Sequence, residues 1–357
     1  MVLSPSGGRG GMILVVATYR GITMMKMFLR AGAALLAVSA TSANAASILD
    51  YYTTSYTKAI DTKEASAVAY NWDTRTLMVT NDEEEDDGTN IWGEYDRDGN
   101  KTATILLSGC LSLGSAQCDP EGLTYVGGGQ YVVGEERYQD IALLSEIGSA
   151  PGTRSYTPYQ DAPTISIGPD AGNSGLEGIA YNRVTGDYFG VKERQSETIW
   201  KISGANFGTE TASVSTLFNA EALPGMDRLS DVAVLSNSRF WNQPFGENLL
   251  ILSGRSFKIL EVTQTGTVVG SLDLSGFKSL VDPRNTGGKF EGLTLDEEGN
   301  IYLVSDDGDN TIDPQSFLVK LGYSAPVPEP ETWALMILGF GLIGGAMRRR
   351  RGSVAFG

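Results

Sequence analysis

The sequence predicts an all-β protein, a β-propeller of four-stranded blades, and three observations carry that expectation. A segment of one design recurs: ASAVAYNWDTRTLMVTNDEE from Ala65, PEGLTYVGGGQYVVGEER from Pro120, LEGIAYNRVTGDYFGVKER from Leu176, LSDVAVLSNSRFWNQPFGENLLILSGR from Leu229 and FEGLTLDEEGNIYLVSDD from Phe290. Its leading positions, Ser66, Glu121, Glu177, Ser230 and Glu291, are 55, 56, 53 and 61 residues apart, the length of one supersecondary unit in a repeat architecture. The apolar runs are short, rich in Val, Ile, Tyr and Thr, and cut by Gly, Asn and Asp turns, a strand pattern without the 3.6-residue period of a helix.

Each element follows in order. The small or acidic leader opens the innermost strand, a turn reverses the chain, and a second apolar strand ends in a charged cluster. A third strand comes next, as at 198–202 or 257–262, and a fourth, as at 267–272. Four-stranded units in series suit radial closure, which protects strand edges. Residues 291–323 supply only about 33 residues of the last unit and 46–65 about 20 more, so one blade joins both ends of the domain. The expected count over 46–323 is five blades, or six if the connection 148–175 hides further strands.

The phrases DPEGLTY, GLEGIAYNRVTGDYFGVKER and FEGLTLDEEGNIYLVSDD resemble the SdiA-regulated family of secreted and periplasmic propellers over most of residues 60–310. The phytase-like esterase family shares the EG(L/I) phrase and is the near relative. The fourth copy departs from the pattern, with Ser230-Asp231 for Glu-Gly and an insertion around 242–247.

The two ends read as addresses. Residues 24–45, MMKMFLRAGAALLAVSATSANA, have Lys26 and Arg30 in front, an apolar stretch and an Ala43-Asn44-Ala45 site, the three-part layout of a signal peptide cut after Ala45. Residues 1–23 fit no part of that layout and suggest a true start at Met24 or Met25. In the tail, 324–357, the apolar segment 333–347 would reach only about 22 Å as a helix, short of a roughly 30 Å hydrocarbon core. Its four glycines loosen it further, and the basic cluster 348–351 orients it by the positive-inside rule. The tail therefore reads as a transmembrane segment that pauses in the inner membrane, with an ordinary C-terminal anchor as the alternative.

The order of Pro328, Glu329 and Pro330 in the motif 327–330, then the apolar run, then Arg348, Arg349, Arg350 and Arg351 resembles the PEP-CTERM sorting signal. That signal belongs to Gram-negative bacteria that make extracellular polysaccharide. The resemblance implies recognition and processing by exosortase and delivery to the cell surface or the medium.

Charge and composition narrow the chemistry. Eight of the 27 bases lie in the two ends, whereas all but two of the 43 acids fall within 46–328, which leaves 41 acids against 19 bases there. Such a surface repels phosphate backbones, so nucleic acid is excluded as a partner and cations are favoured. The chain has no histidine, which removes Ser-His-Asp and Cys-His dyads and His-ligated zinc. Cys110 and Cys118, eight residues apart, read as a disulfide in an oxidising compartment.

Aligning the copies gives two acidic columns. Glu121, Glu177 and Glu291 begin innermost strands, where a propeller converges on its channel. Asp82, Glu136, Glu193 and Asp306 follow the second strands, with Gly254 in the same place of the fourth copy and Arg137, Arg194 and Arg255 one place on in three copies. An alternating Glu-Arg ring between blades is the structural expectation. The functional one is an acidic channel mouth holding Ca²⁺, because oxygen-only donors suit calcium or magnesium. The acidic loops NDEEEDD from Asn81 and SDDGDN from Ser305 lack the EF-hand spacing. The expected function is a non-enzymatic calcium-binding surface protein with a polysaccharide or other envelope ligand. The alternative is a calcium-dependent esterase, lactonase or phosphoesterase with Glu177 as general base.

Overall fold

Runs that are apolar without interruption, such as Leu249–Ser253 and Ile301–Ser305, form strands buried along their whole length, as strands packed on both faces must be. Alternating runs such as Thr211–Asn219 form strands that are largely exposed. The computed structural model describes residues 47–81, 89–108, 119–194, 196–306, 308, 315–324 and 337–343. These all belong to one compact unit, Asn44–Gly357.

In chain order the strands begin with β1 (Tyr52–Ile60), β2 (Ala65–Asn71), β3 (Thr76–Asn81), β4 (Asn90–Asp96) and β5 (Lys101–Leu107). Next come β6 (Pro120–Gly127), β7 (Gln130–Glu135), β8 (Asp140–Ala150), β9 (Thr153–Tyr156) and β10 (Thr164–Ser166). The third group is β11 (Leu176–Tyr181), β12 (Tyr188–Lys192), β13 (Thr198–Asn206) and β14 (Thr211–Asn219). Then follow β15 (Asp231–Val234), β16 (Leu249–Ser253), β17 (Lys258–Val262) and β18 (Val268–Asp273), and last β19 (Phe290–Leu295), β20 (Ile301–Ser305) and β21 (Ser316–Tyr323).

Among the described residues these strands make three four-stranded sheets and one nine-stranded sheet. β11–β14 and β15–β18 are antiparallel meanders. β1 completes the sheet of β19–β21, running antiparallel to β21 from Tyr52 opposite Tyr323 to Ile60 opposite Ser316, so both ends of the domain share one sheet. The innermost strands β2, β6, β11, β15 and β19 lie side by side in that order, and β19 returns to β2. That radial order is the architecture of a β-propeller.

The nine-stranded sheet departs from one sheet per repeat. β8 outruns β7, and the turn through Pro151 and Gly152 folds β9 back along its far half. Gly152 has φ +77, the value a type II turn demands after a proline. β9 then pairs in parallel with β5, Thr104 to Leu106 opposite Thr153 to Ser155, and covers an edge that β5 would otherwise leave open. Arg154 fixes the seam, reaching Glu94 on β4 at 2.7 Å and Glu146 on β8 at 3.3 Å. The stretch 148–175 thus feeds β8, β9 and β10 into this sheet, and among the described residues it forms no sheet of its own.

Buried apolar side chains gather where neighbouring sheets face each other. Leu250, Leu252 and Ile259 meet Leu293, Leu303 and Val319, while Val68, Tyr70 and Leu77 meet Tyr302, Val304 and Leu318. The N-terminal segment is latched by a buried carboxylate: Glu261 accepts from Ser47 Oγ at 2.6 Å, the Ile48 amide at 3.0 Å and Asn248 Nδ2 at 2.7 Å. Charge-assisted hydrogen bonds of this kind are the strong ones. Glu261→Gln, which turns one acceptor into a donor facing donors, is expected to cost about 1–2 kcal/mol, read from the shift of the denaturant midpoint.

In the tail, residues 337–343 form an exposed apolar helical stretch. Among the described residues no helix is long and apolar enough to cross a membrane. The rest of 333–347 lies outside the described residues, as do 1–46, Asp82, Cys110, Cys118, Pro328, Glu329, Pro330 and Arg348 to Arg351.

Candidate functional site

The site begins with the Glu-Gly pairs. On β6, β11 and β19 the ladder register slips between Pro120 and Gly122, Leu176 and Gly178, and Phe290 and Gly292. Each slip is a bulge at the glutamate, which releases its side chain from the regular in-out alternation. The glycines admit the next innermost strand. A Cβ on Gly178 would lie 2.6 Å from Asp231 Cα, and one on Gly292 would lie 2.6 Å from the Val68 nitrogen. Where Glu-Gly is missing, a polar side chain makes the connection instead. Ser66 Oγ donates to the Pro120 carbonyl at 2.8 Å, and Asp231 Oδ2 accepts from the Leu293 amide at 2.7 Å.

Three predicted acids converge. Glu177 comes from the bulge of β11, Glu136 follows β7 and Glu193 follows β12, and one carboxylate oxygen from each lies within 4.8 Å of the others. All three are buried, at 3% exposure for Glu136, 7% for Glu177 and 5% for Glu193. Gly175, which precedes β11, donates its amide to Glu136 Oε1 at 3.3 Å and accepts from the Glu193 amide at 3.2 Å. Hence one short segment positions two of the acids and leads directly into the third.

Burial and mutual repulsion set the charge state. Desolvation, then the fields of Glu136, Glu193 and Glu291, hold the Glu177 carboxyl well above the usual carboxylate range, with Lys289 opposing. Glu136 is also raised, by desolvation first and by Asp119, while Glu177 and the Gly175 amide oppose. Its neighbour Glu135 is pushed up to about 7, chiefly by desolvation. Asp231 is raised as well, by burial, against the stabilising amides of Leu293 and Val232.

The other predicted residues separate. Glu291 is buried and forms an ion pair with Lys289, whose ammonium is stabilised above its ordinary range by that partner. This pair gives one member of the first column a basic partner. Lys289 and Glu291 stand two apart, a spacing that can bring side chains to one face of a strand, and this was the available signal. Glu121 is half-buried, and Asp306 follows β20, its amide bonded to the Lys289 carbonyl at 3.0 Å.

The arginines do not alternate with the second column. Arg137 pairs with Asp119 at 2.7 Å, Arg194 with Glu193 at 2.6 Å and Arg255 with Asp227 at 3.4 Å. Arg228, missed by the column alignment because it precedes its repeat, reaches Glu193 at 3.3 Å.

Beside the acids opens a cavity of about 540 Å³, lined in part by Glu193, Arg228, Arg255, Lys278, Lys289 and Asp306. Its volume lies in the range of small-molecule sites, roughly 300–1,000 Å³. The trio and the cavity share Glu193.

Among solved structures, a luciferin-regenerating enzyme is similar at 11% identity and a TM-score of 0.43, covering 75% of this chain and 95% of that one. The β-propeller domain of Myceliophteria thermophila Cps50 (Swd1) is similar at 10% identity and a TM-score of 0.35, covering 70% and 67%. A streptogramin B lyase shows 10% identity and a TM-score of 0.37, covering 75% and 98%. Residues 326–351 match the PEP-CTERM protein-sorting motif, the motif recognised by exosortase, which marks a protein exported to the cell envelope of a Gram-negative bacterium. Residues 44–308 match the SdiA-regulated family, and with most of its length inside that match the chain belongs to the SdiA-regulated family.

Proposed function

We propose that this protein is a calcium-binding interaction protein of the cell surface, associated with exopolysaccharide or the biofilm matrix, and that Glu136, Glu177 and Glu193 hold the ion. The convergence of these three buried carboxylates carries the proposal. Calcium takes oxygen ligands at 2.3–2.6 Å, so oxygens around one ion lie up to roughly 5 Å apart. The trio fits that span. Arg194 and Arg228, both on Glu193, offset part of the negative charge. Glu291 is engaged by Lys289 and contributes its field rather than a ligand atom in this reading.

We read the nine-stranded sheet as two blades fused along β5 and β9. The side-by-side order of five innermost strands supports a count of five. On this view residues 24–45 are removed at export, and the tail is processed by exosortase after a transient stay in the inner membrane.

Calorimetric titration of the purified protein with Ca²⁺ at neutral pH tests the ion. At a hundredfold excess over Kd, binding is expected to stabilise by about 2.7 kcal/mol, which raises Tm by roughly 5–10 °C in a domain of this size. Absence of both heat and a Tm shift would remove calcium from the account. A second reading is favoured by one observation, the raised pKa of Glu177 beside a cavity, a combination that suits a general base in calcium-dependent hydrolysis. Turnover of lactone, aryl ester or phosphoester substrates that disappears in Glu177→Gln is its signature.

A further inference from the structure

We propose that the cavity between the β16–β17 turn and the loop before β19 is an anion site for a small molecule bearing a carboxylate or a phosphate. The chain carries a net charge of −16, yet the lining of this cavity holds four cations, Arg228, Arg255, Lys278 and Lys289, against three acids, Glu193, Asp282 and Asp306. Concentrated positive charge inside a negative surface favours a ligand of the opposite sign at that place and repels it elsewhere.

The acids lining the cavity are already engaged. Glu193 is held by Arg194 and Arg228. Asp282 Oδ1 accepts from the Thr286 amide at 2.7 Å and the Gly287 amide at 3.3 Å, shaping the loop. Asp306 Oδ1 accepts from the Gly308 amide, and an isolated bridge joins Gly287 to Gly308 across the rim.

Two of the cations are open. Arg255 meets Asp227 only at 3.4 Å, with the two side chains 55% and 69% exposed, and such a pair holds its partners weakly. Lys278, exposed at the start of the short helix Lys278–Val281, makes no ion pair among the described residues. A guanidinium fork matches the two oxygens of a carboxylate or phosphate. The Lys278 ammonium, lining the same cavity, adds a second point of attraction, so a monoanionic or dianionic head group fits better than a neutral one.

The site uses cations and needs no metal, so its test is run in metal-free buffer and stands apart from the calcium reading. The protein is titrated calorimetrically with galacturonate, with glucose 6-phosphate, and with glucose as the uncharged control. At least one anion is expected to bind below about 1 mM, and glucose is not. Binding of only the uronate assigns carboxylate, and binding of only the sugar phosphate assigns phosphate. The double substitution Arg255→Met and Lys278→Met, at exposed positions, is expected to weaken binding at least about tenfold with Tm unchanged. No heat with either anion up to about 10 mM would overturn the proposal. Equal binding of glucose, or undiminished binding by the double variant, would do so too.

Discussion

Glu177→Gln is expected to raise the melting temperature of the metal-free protein at pH 8 and to abolish its response to Ca²⁺. At that pH the native fold must hold carboxylates whose charge it disfavours: Glu177 and Glu136 are raised, and Glu135 is pushed up to about 7 from an ordinary 4.5. A raised folded-state pKa means that the native state binds more protons than the unfolded one between the two values. The associated stability is complete below about pH 4.5 and is lost as pH rises through about 7. Metal-free protein should therefore melt at progressively lower temperature from pH 5 to pH 8. Gln keeps the shape and cannot ionise, so it removes a titrating group whose charged form the fold disfavours. Relief of such a group is worth on the order of 1–4 kcal/mol, or roughly 2–16 °C in Tm. The wild type should recover its loss when Ca²⁺ is added at pH 8, and the variant should not. A variant less stable than wild type at pH 8 without metal would mean that Glu177 is a satisfied structural acid.

The second large effect is predicted at the closure of the innermost strands. Gly292→Ala places a methyl 2.6 Å from the Val68 nitrogen, 2.7 Å from a Val304 methyl and 2.9 Å from the Ala67 carbonyl carbon. Two of these are backbone atoms, which cannot rotate aside. Overpacking of this kind costs typically 1–3 kcal/mol and more where backbone must move, so a loss of about 3 kcal/mol and roughly 6–12 °C is expected. Gly148→Ala is the control, because nothing lies within 4 Å of its Cβ position. Equal melting temperatures for the two variants would show that β19 and β2 are not held together at the glycine seat.

The strands were legible because their signal is local. A run such as IYLVS or LLILS declares a strand buried on both faces, and the repeat of the Glu-Gly phrase declares that several such units follow one another. The merger of β5 with β9 was not legible. It depends on β8 outrunning β7 and on an edge meeting an edge, and neither leaves a periodic mark.

In the site, the residue types were legible and their grouping was not. Glu136 and Glu193 stand in one column of the repeat and Glu177 in the other. Only the bulge at Glu177 and the close approach at Gly175 bring them together. Asp231 was hidden because the acid had moved one place along, from the Glu position to the Gly position of the phrase. Its carboxylate bridges to β19 through the Leu293 amide, so a departure from the repeat marks a change from a channel acid to a structural one.

Crystals grown with saturating Ca²⁺ at pH 8 give the most direct measurement of the central claim. An anomalous peak 2.3–2.6 Å from carboxylate oxygens of Glu136, Glu177 and Glu193 is the predicted result. The contradicting result is a trio without a peak, its carboxyl groups hydrogen-bonded to one another through shared protons.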